Sequence, residues 1–429
     1  MIQINELSRI GFGAYRAAID NEENESALRL AIQCGCNLID TAAGYGNGNS
    51  EKLIGRVLQD IQGEKIFVIT KAGYIGSSDL HLLQNLNRSG KGLSDLVNLP
   101  GNFKHSIHPD YLEAQIAISL QRLHRKYIDG FLLHSPEYYF DQKNMSADTG
   151  EYYRRIGKAF EFLEEKVKKG MIRYYGVSSN TLPLSGNANA TDLAELLKIS
   201  SRVSGAHHFR LVQFPFNIIE RGAGEPSPIT KKSLIELAKE HGIATFSNRP
   251  LNANSGAGAL RLVIHDPGKL ELNSAADGNV HDRCFAIIEE QLKRSGGGSD
   301  ISEFPMVAYL KDNWTGIPHE GAFKSLFYRS FYPFIASLFN NDTPKEAMSA
   351  FREFEAIAWK YHLRTASARA IAWMESNNLK SLLPTASSQS LPANLCKEYL
   401  RLGIDHVLVG MRKPQYVNEL KHLFPPPER

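Results

Sequence analysis

Eight short apolar runs alternate with amphipathic stretches along most of this chain, and that alternation restricts its fold more than any other feature. The runs are residues 10–14, 37–40, 66–70, 128–133, 173–177, 211–216, 243–246 and 406–409. The stretches between them carry helical periodicity. In residues 20–33, Ala27, Leu28, Ala31 and Ile32 share one face, acidic residues fill the first turn, and Gly35 stands just past the end. Ser50 is placed to cap a helix through Leu53, Ile54, Val57 and Leu58. Pro109 suits the first turn of a helix through Leu112, Ile116, Leu120 and Leu123. Ile156, Phe160, Leu163 and Val167 step by four, three and four towards Gly170, and Leu234 and Leu237 precede Gly242. Strands that alternate with helices are parallel and joined by right-handed crossovers. Eight of them predict an α/β fold closed as a (β/α)8 TIM barrel. A doubly wound open sheet would leave two or three strands over.

A barrel of this kind carries its chemistry at the C-terminal ends of its strands. Those ends hold Asp40, Lys71, His134, Ser178 and Gln213. Each has an ordinary structural explanation when taken alone: a capped turn for Asp40, an exposed strand end for Lys71, a satisfied core histidine for His134. Polar residues recurring at equivalent places after five strands point instead to a site.

The segments around these residues resemble the aldo-keto reductases. LIDTAAGYGNGNSEKLIG is similar to that family's signature, in which an Asp is followed five residues later by a Tyr and then by a YGxGxSE pattern. ITKAG resembles its third-strand Lys, and SLQRLHRKYIDGFLLHSPE its helix and fourth strand ending in His. IRYYGVSSN, RLVQFPFN and VLVGMRKPQYVNEL resemble later cofactor-binding segments. The match runs in family order from about residue 8 to 251 and resumes near 386.

The resemblance implies an oxidoreductase that moves a hydride between a nicotinamide cofactor and a carbonyl substrate (aldehyde, ketone or sugar-type), reversible to alcohol oxidation. Tyr45 would be the general acid/base, with Lys71, Asp40 and His134 completing a tetrad. The residue types suit that task. A carbonyl accepts hydride only if the charge growing on its oxygen is relieved. A phenol at its reference pKa of about 10 is a weak donor near neutrality, and a nearby ammonium, held by a carboxylate, is expected to lower it.

No GxGxxG follows a strand, so a Rossmann fingerprint is absent. The resemblance instead assigns the cofactor to the barrel mouth. Ser178 and Gln213 match positions that bind the carboxamide, and Gly13, Ser179, Asn248 and Arg249 lie in matching mouth segments. Gly410, Arg412 and Glu419 fall in the stretch matching the loop and helix that hold the adenosine phosphate end. Arg412 as partner of a 2′-phosphate favours NADPH over NADH. The chain also departs from the family pattern. Ser179 stands where Asn is usual, with Asn180 one place later. Asn248 replaces an aromatic that often stacks on the nicotinamide, Tyr416 an Arg found in some members, and Leu420 an adenine-contacting Asn.

The chain has 429 residues, too many for one barrel of roughly 250. The surplus has one address. Residues 1–251 and 386–429 account for the barrel, and 252–385 is an insertion of 134 residues. It holds all three tryptophans (Trp314, Trp359, Trp373) and an SGGGSD stretch of flexible composition at 295–300. Phe323, Phe327, Phe331 and Phe334 follow helical spacing, although Pro333 should end or kink that helix. Another helix should carry Phe351, Phe354, Ala358 and Tyr361. A mostly helical insertion leaving after the seventh strand emerges on the catalytic face, as a cap. The long segment between Lys71 and Pro109 is expected as a second loop on that face.

Charge and cysteines exclude other classes. With 49 Lys+Arg against 46 Asp+Glu, the net charge of +3 supplies no concentrated basic face for nucleic acid. Cys34, Cys36, Cys284 and Cys396 lack paired CxxC spacing, and His105, His207 and His208 lack an evident carboxylate partner, so no metal is expected. No apolar run spans a membrane and the first residues do not read as a signal peptide, which makes the cytoplasm the expected location. The expected partner is a small carbonyl or alcohol, while the oligomeric state stays open. The competing reading is a non-catalytic nicotinamide-binding sensor or interaction protein, with the insertion as its docking surface.

Overall fold

The computed structural model describes residues 2–61, 65–76, 79–100, 103–141, 148–184, 186–254, 259–265, 270–295, 300–385 and 390–425. Residues 296–299 of the SGGGSD stretch lie outside that set. The chain divides into two compact units, Met1–Ala253 with Pro392–Arg429, and Asn254–Leu391.

The first unit is a closed parallel barrel. Its strands are β1 (Ile10–Gly13), β2 (Leu38–Asp40), β3 (Phe67–Ala72), β4 (Ile128–His134), β5 (Ile172–Ser178), β6 (Phe209–Pro215), β7 (Ala244–Asn248) and β8 (His406–Val409). Their order around the barrel, β1-β8-β7-β6-β5-β4-β3-β2, follows the chain, and β1 pairs with both β2 and β8. All eight expected runs are therefore barrel strands. Leu38, Phe67, Ile69, Leu132, Leu211, Phe246 and Leu408 pack together as one buried cluster, with Ile2 and Leu7 joining it.

The connecting helices form where periodicity placed them. Glu22–Gln33 starts after Asn21, whose side chain accepts the Asn24 N–H at 3.1 Å. Pro109 opens Pro109–Leu123. The expected stops at Gly35, Gly170 and Gly242 all have left-handed backbone, with φ of 98°, 69° and 63°.

One expected helix start is different. Ser50 is not a cap: the helix Asn49–Asp60 begins after Gly48, and Ser50 is fully buried. Its hydroxyl lies 2.8 Å from Thr41 Oγ1 and donates to the Ala14 carbonyl at 3.0 Å, so it fastens the helix start to the ends of β1 and β2.

The segment after Lys71 is more ordered than a loop. It contains a helix, Leu80–Arg88, and a small antiparallel sheet of Tyr74–Ile75, Lys104–His105 and Val97–Asn98 with Lys104–His105 in the middle.

The second unit is mostly helical. Its core gathers Phe285, Ile288, Leu310, Phe323, Phe327, Phe331, Ile335, Phe351 and Phe354. The aromatic stripe is core, as helical spacing usually implies. Pro333 does not end its helix. Glu320–Lys324 runs into a π-helical stretch, Ser325–Phe331, and on into Tyr332–Leu338. The wider turn places Pro333 at the start of a new α segment, where its missing N–H is not needed. The helix carrying Phe351 and Phe354 is long, Lys345–Ser376.

His406 gives the barrel core a pH signature. It is buried, stacks on Phe246 with centroids 4.8 Å apart, and Nδ1 donates to the Ser8 carbonyl at 3.1 Å. Burial pushes its pKa down to about 4, against the raising effect of that carbonyl. The folded chain thus keeps His406 neutral while the unfolded chain protonates it from about pH 6.5 downward. Stability should fall as pH drops from about 6.5 to about 4, by about 2–3 kcal/mol from this residue. Urea unfolding at neutral and acid pH should show a smaller loss for His406→Gln than for the native chain. Equal losses in the two proteins would remove His406 as the cause.

Candidate active site

Four strand ends converge through one chain of polar contacts. Lys71, at the end of β3, is fully buried, and its Nζ lies 2.7 Å from Asp40 Oδ1 at the end of β2. The same ammonium donates to the Thr41 carbonyl at 2.8 Å. Gln213 on β6 donates Nε2–H to Asp40 Oδ1 at 2.7 Å, and its Oε1 accepts from Ser178 Oγ on β5 at 3.1 Å. Residues 35–173 positions apart in sequence are thereby joined across the mouth.

Tyr45 sits in the short turn that follows β2. The turn is made of three successive left-handed residues, Gly46, Asn47 and Gly48, with φ of 57°, 54° and 85°. Glycine carries that conformation without penalty, and Asn is the side chain that tolerates it best. The Arg122 guanidinium lies beneath the turn. It donates to the Ala43 carbonyl at 3.3 Å and pairs with Glu51, which is fully buried, at 3.2 Å. A Cβ on Gly48 would lie 2.3 Å from the guanidinium carbon, so a larger residue here would have to push the guanidinium away from its Glu51 and Ala43 partners. Glu51 also accepts from Thr70 Oγ1 at 2.6 Å, on the residue before Lys71. One buried ion pair therefore fixes both the Tyr45 turn and the end of β3.

The rings complete the site. Lys71 Nζ stands 5.0 Å from the centroid of the Tyr45 ring. The His134 imidazole meets Tyr45 edge-on at 5.8 Å and Tyr74 edge-on at 4.5 Å. Tyr15, from the loop after β1, meets Tyr45 edge-on at 5.0 Å and is 63% exposed.

Protonation follows from these surroundings. Burial pushes the Tyr45 phenol well above 10, and Asp40, Tyr74 and Tyr15 add to the shift. The expected lowering by Lys71 is not what the resting site displays, because the ammonium is turned onto Asp40 and the Thr41 carbonyl. Burial lowers the pKa of Lys71, while Asp40 and Glu51 pull it back. Burial, then Lys71 and His105, hold His134 well below 6.5. The resting site therefore offers a protonated phenol beside a neutral imidazole.

The expected cofactor residues fall into groups. Gly13 lies at the mouth, where a Cβ would press to 3.2 Å on the Val409 carbonyl and 3.6 Å on Gly410 N. The ends of β1 and β8 thus meet as bare backbone. Ser178 and Gln213 are joined as described. Ser179 turns away from them: its Oγ lies 3.0 Å from Thr181 Oγ1 and 2.9 Å from Thr191 Oγ1. Asn248 ends β7 with a buried Oδ1 that has no partner among the described residues, and the neighbouring Ser247 Oγ is likewise buried and unpartnered. Arg249 adopts φ of 53° and pairs with Glu220 at 2.9 Å. Arg412 is half-buried, and its carbonyl accepts from Asn24 Nδ2 at 3.0 Å. Glu419 lies exposed in the helix Pro414–Leu420.

The histidines set aside as metal candidates do not converge. His105 Nε2 lies 2.7 Å from the His134 carbonyl. His208 has a carboxylate partner remote in sequence, with Nδ1 3.0 Å from Glu164 Oε2 across 44 positions. No group of three or more His, Cys, Asp or Glu poised for a metal occurs among the described residues, and no helix there is long and apolar enough to cross a membrane.

The Aldo/keto reductase family model matches residues 9–419. The chain is 26% identical over 255 residues to the NADH-specific methylglyoxal reductase of Escherichia coli, an alignment covering 57% of this chain and 64% of that protein. The chain thus spans somewhat under two thirds of that relative's length. An aldo/keto reductase from Klebsiella pneumoniae, solved in complex with NADP and acetate, is 18% identical with a TM-score of 0.37 over 57% of this chain and 65% of that one. The glycerol dehydrogenase AKR11B4 from Gluconobacter oxydans is 17% identical with a TM-score of 0.49, over 99% and 91%. With residues 9–419 matched by its model, this chain belongs to the aldo/keto reductase family.

Proposed function

We propose that this protein is an NAD(P)H-dependent carbonyl reductase, able to run in reverse as an alcohol dehydrogenase. The observation that carries the reading is the placement of Tyr45 between the Asp40-held ammonium of Lys71 and the neutral imidazole of His134.

The mouth also has the chemistry to hold a nicotinamide carboxamide, which presents both a donor and an acceptor. Asn248 Oδ1 is an unpartnered buried acceptor, Gln213 Nε2 has a second N–H beyond the one given to Asp40, and Ser178 Oγ keeps free lone pairs. Gly13 leaves the backbone bare where a dinucleotide would pass. When bound, the cofactor supplies the hydride that no side chain can give. The chain's own residues manage the oxygen. His134 orients the carbonyl oxygen as a neutral hydrogen-bond donor, and the Tyr45 hydroxyl gives it a proton. Lys71, held in place by Asp40, then stabilises the phenolate left behind. In reverse the phenolate is the base.

A panel of aldehydes and ketones, followed by NADPH and NADH consumption, tests the reading. Turnover of some carbonyl is the expected result; failure to bind either cofactor would overturn it. The relatives differ in cofactor, one being named NADH-specific and one solved with NADP. The preference for NADPH here rests on Arg412 as partner of the 2′-phosphate. Arg412→Ala should weaken NADPH binding about 10–100-fold, the loss typical of a charge-assisted contact, and leave NADH binding nearly unchanged. Fluorescence titration with both cofactors reads the difference, and equal losses for the two would remove Arg412 from that role.

A further inference from the structure

His105 is a buried, ionisable side chain that the proposed chemistry does not use, only 2% exposed and 29 residues from the histidine it touches. The ladder between β3 and β4 ends at Ala72 and Leu133, one residue short of His134. Beyond His134 the chain turns sharply, with Ser135 at φ of 53° and its N–H given to the Ser178 carbonyl at 2.7 Å. The His134 carbonyl is met not by β3 backbone but by His105 Nε2, at 2.7 Å. A carbonyl only accepts, so Nε2 carries the proton.

Further contacts are arranged around that bond. Gly73 leaves it room: a Cβ there would lie 2.3 Å from the His134 carbonyl oxygen and 2.6 Å from His105 Nε2. The backbone beside it is tied down, since Ser106 donates to the Gly73 carbonyl at 2.9 Å and Tyr74 pairs with His105 across the small antiparallel sheet. Tyr74 then lies edge-on to both imidazoles, at 5.8 Å from His105 and 4.5 Å from His134. Its hydroxyl donates to Ser135 Oγ at 3.1 Å, and its carbonyl accepts from the buried Tyr111 hydroxyl at 2.7 Å. The backbone that carries the imidazole is thus held at its carbonyl and at the following residue, by a segment separate from β4 in sequence.

We propose that His105 is a positioning residue: its bond to the His134 carbonyl sets the direction from which the His134 imidazole approaches the substrate oxygen. The inference rests on the proposed carbonyl chemistry, in which an orienting group displaced by a fraction of an ångström loses much of its effect. His105 touches no reacting atom. It acts through the last peptide of β4, and Gly73 is the residue that permits it.

The test uses the full chain with His105→Leu, which removes the donor, and His105→Gln, whose amide N–H reaches about as far as Nε2. Turnover is measured on a carbonyl from the substrate panel, cofactor affinity by fluorescence, and the His134 ring by nitrogen-edited imidazole NMR. His105→Leu should lower kcat about 10–100-fold with KM and cofactor affinity little changed, and should move the His134 resonances. His105→Gln should recover most of kcat and return those resonances towards their native positions. If the Leu variant does not fold, His105→Asn, whose amide is too short to reach, takes its place with the same expectation. Native kcat and unmoved His134 resonances in the donor-less variant would overturn the proposal, and so would equal impairment of the Leu and Gln variants. Failure of the carbonyl reading is a separate outcome: the native protein would turn over no carbonyl, while the NMR comparison would still report whether His105 holds His134.

Discussion

Tyr45→Phe should reduce carbonyl turnover about 100- to 10,000-fold, the range a positioned general acid contributes, while nicotinamide binding survives. The substitution deletes one oxygen and leaves the ring, so the edge-on contacts with Tyr15 and His134 and the approach of Lys71 to the ring face persist. Stability should change little. The protonation state sharpens the expectation. Burial, Asp40 and the neighbouring phenols hold the Tyr45 pKa well above 10. The phenol is therefore protonated throughout the neutral and mildly alkaline range, and kcat/KM for reduction should not fall through Tyr45 ionisation below about pH 10. Unchanged turnover in Tyr45→Phe would remove the acid from the scheme and favour a binding or sensing role for the chain. A falling limb centred near pH 8–9 that Tyr45→Phe abolishes would place the phenol pKa lower than the resting surroundings imply.

The parts of this site that were legible from strand pattern alone, without the family resemblance that marks Tyr45, share one property: each is a residue type at the end of a strand. Asp40, Lys71, His134, Ser178 and Gln213 could be located because parallel barrel topology converts eight apolar runs into eight strand ends on one face. The supports of those residues carried no such signal. Glu51 lay inside the YGNGNSE segment, but its partner Arg122 is 71 residues away, and nothing in either neighbourhood marks the pair. His105 stood out only as one of several histidines, and its target is a backbone carbonyl, which leaves no trace in side-chain patterning. Local rules misled in two places for a related reason. Ser50 has the side chain of a helix cap, yet the helix starts after Gly48, whose φ of 85° suits glycine and beside which the Arg122 guanidinium takes the space of a side chain. Pro333 has the backbone of a helix breaker, yet a π-helical stretch absorbs it where Phe327 and Phe331 are fully buried. In both, tertiary packing outweighs a local preference of about 1–3 kcal/mol.

Lys71→Met is expected to cost both stability and activity, and the two losses separate in a second substitution. The ammonium is fully buried 2.7 Å from Asp40, and burial alone lowers its pKa. Removing it leaves the Asp40 carboxyl with Gln213 as its remaining side-chain partner here, in surroundings that disfavour a lone charge. Breaking one side of a buried pair typically costs about 3–5 kcal/mol, which urea unfolding would register as a lower midpoint at unchanged slope. Turnover should fall about 100-fold or more, because nothing then stabilises the phenolate left when Tyr45 gives up its proton. Adding Asp40→Asn removes the stranded charge while keeping the shape and an acceptor for Gln213. Replacing both members of a buried pair by neutral groups is often close to neutral for stability, so the double variant should regain most of the midpoint. It should regain none of the activity, since the positive charge beneath the Tyr45 ring is still missing. A double variant that recovers turnover along with stability would mean that Lys71 serves only to neutralise Asp40. One that recovers neither would mean that the pair is needed to fasten β2 to β3, whatever chemistry stands above it.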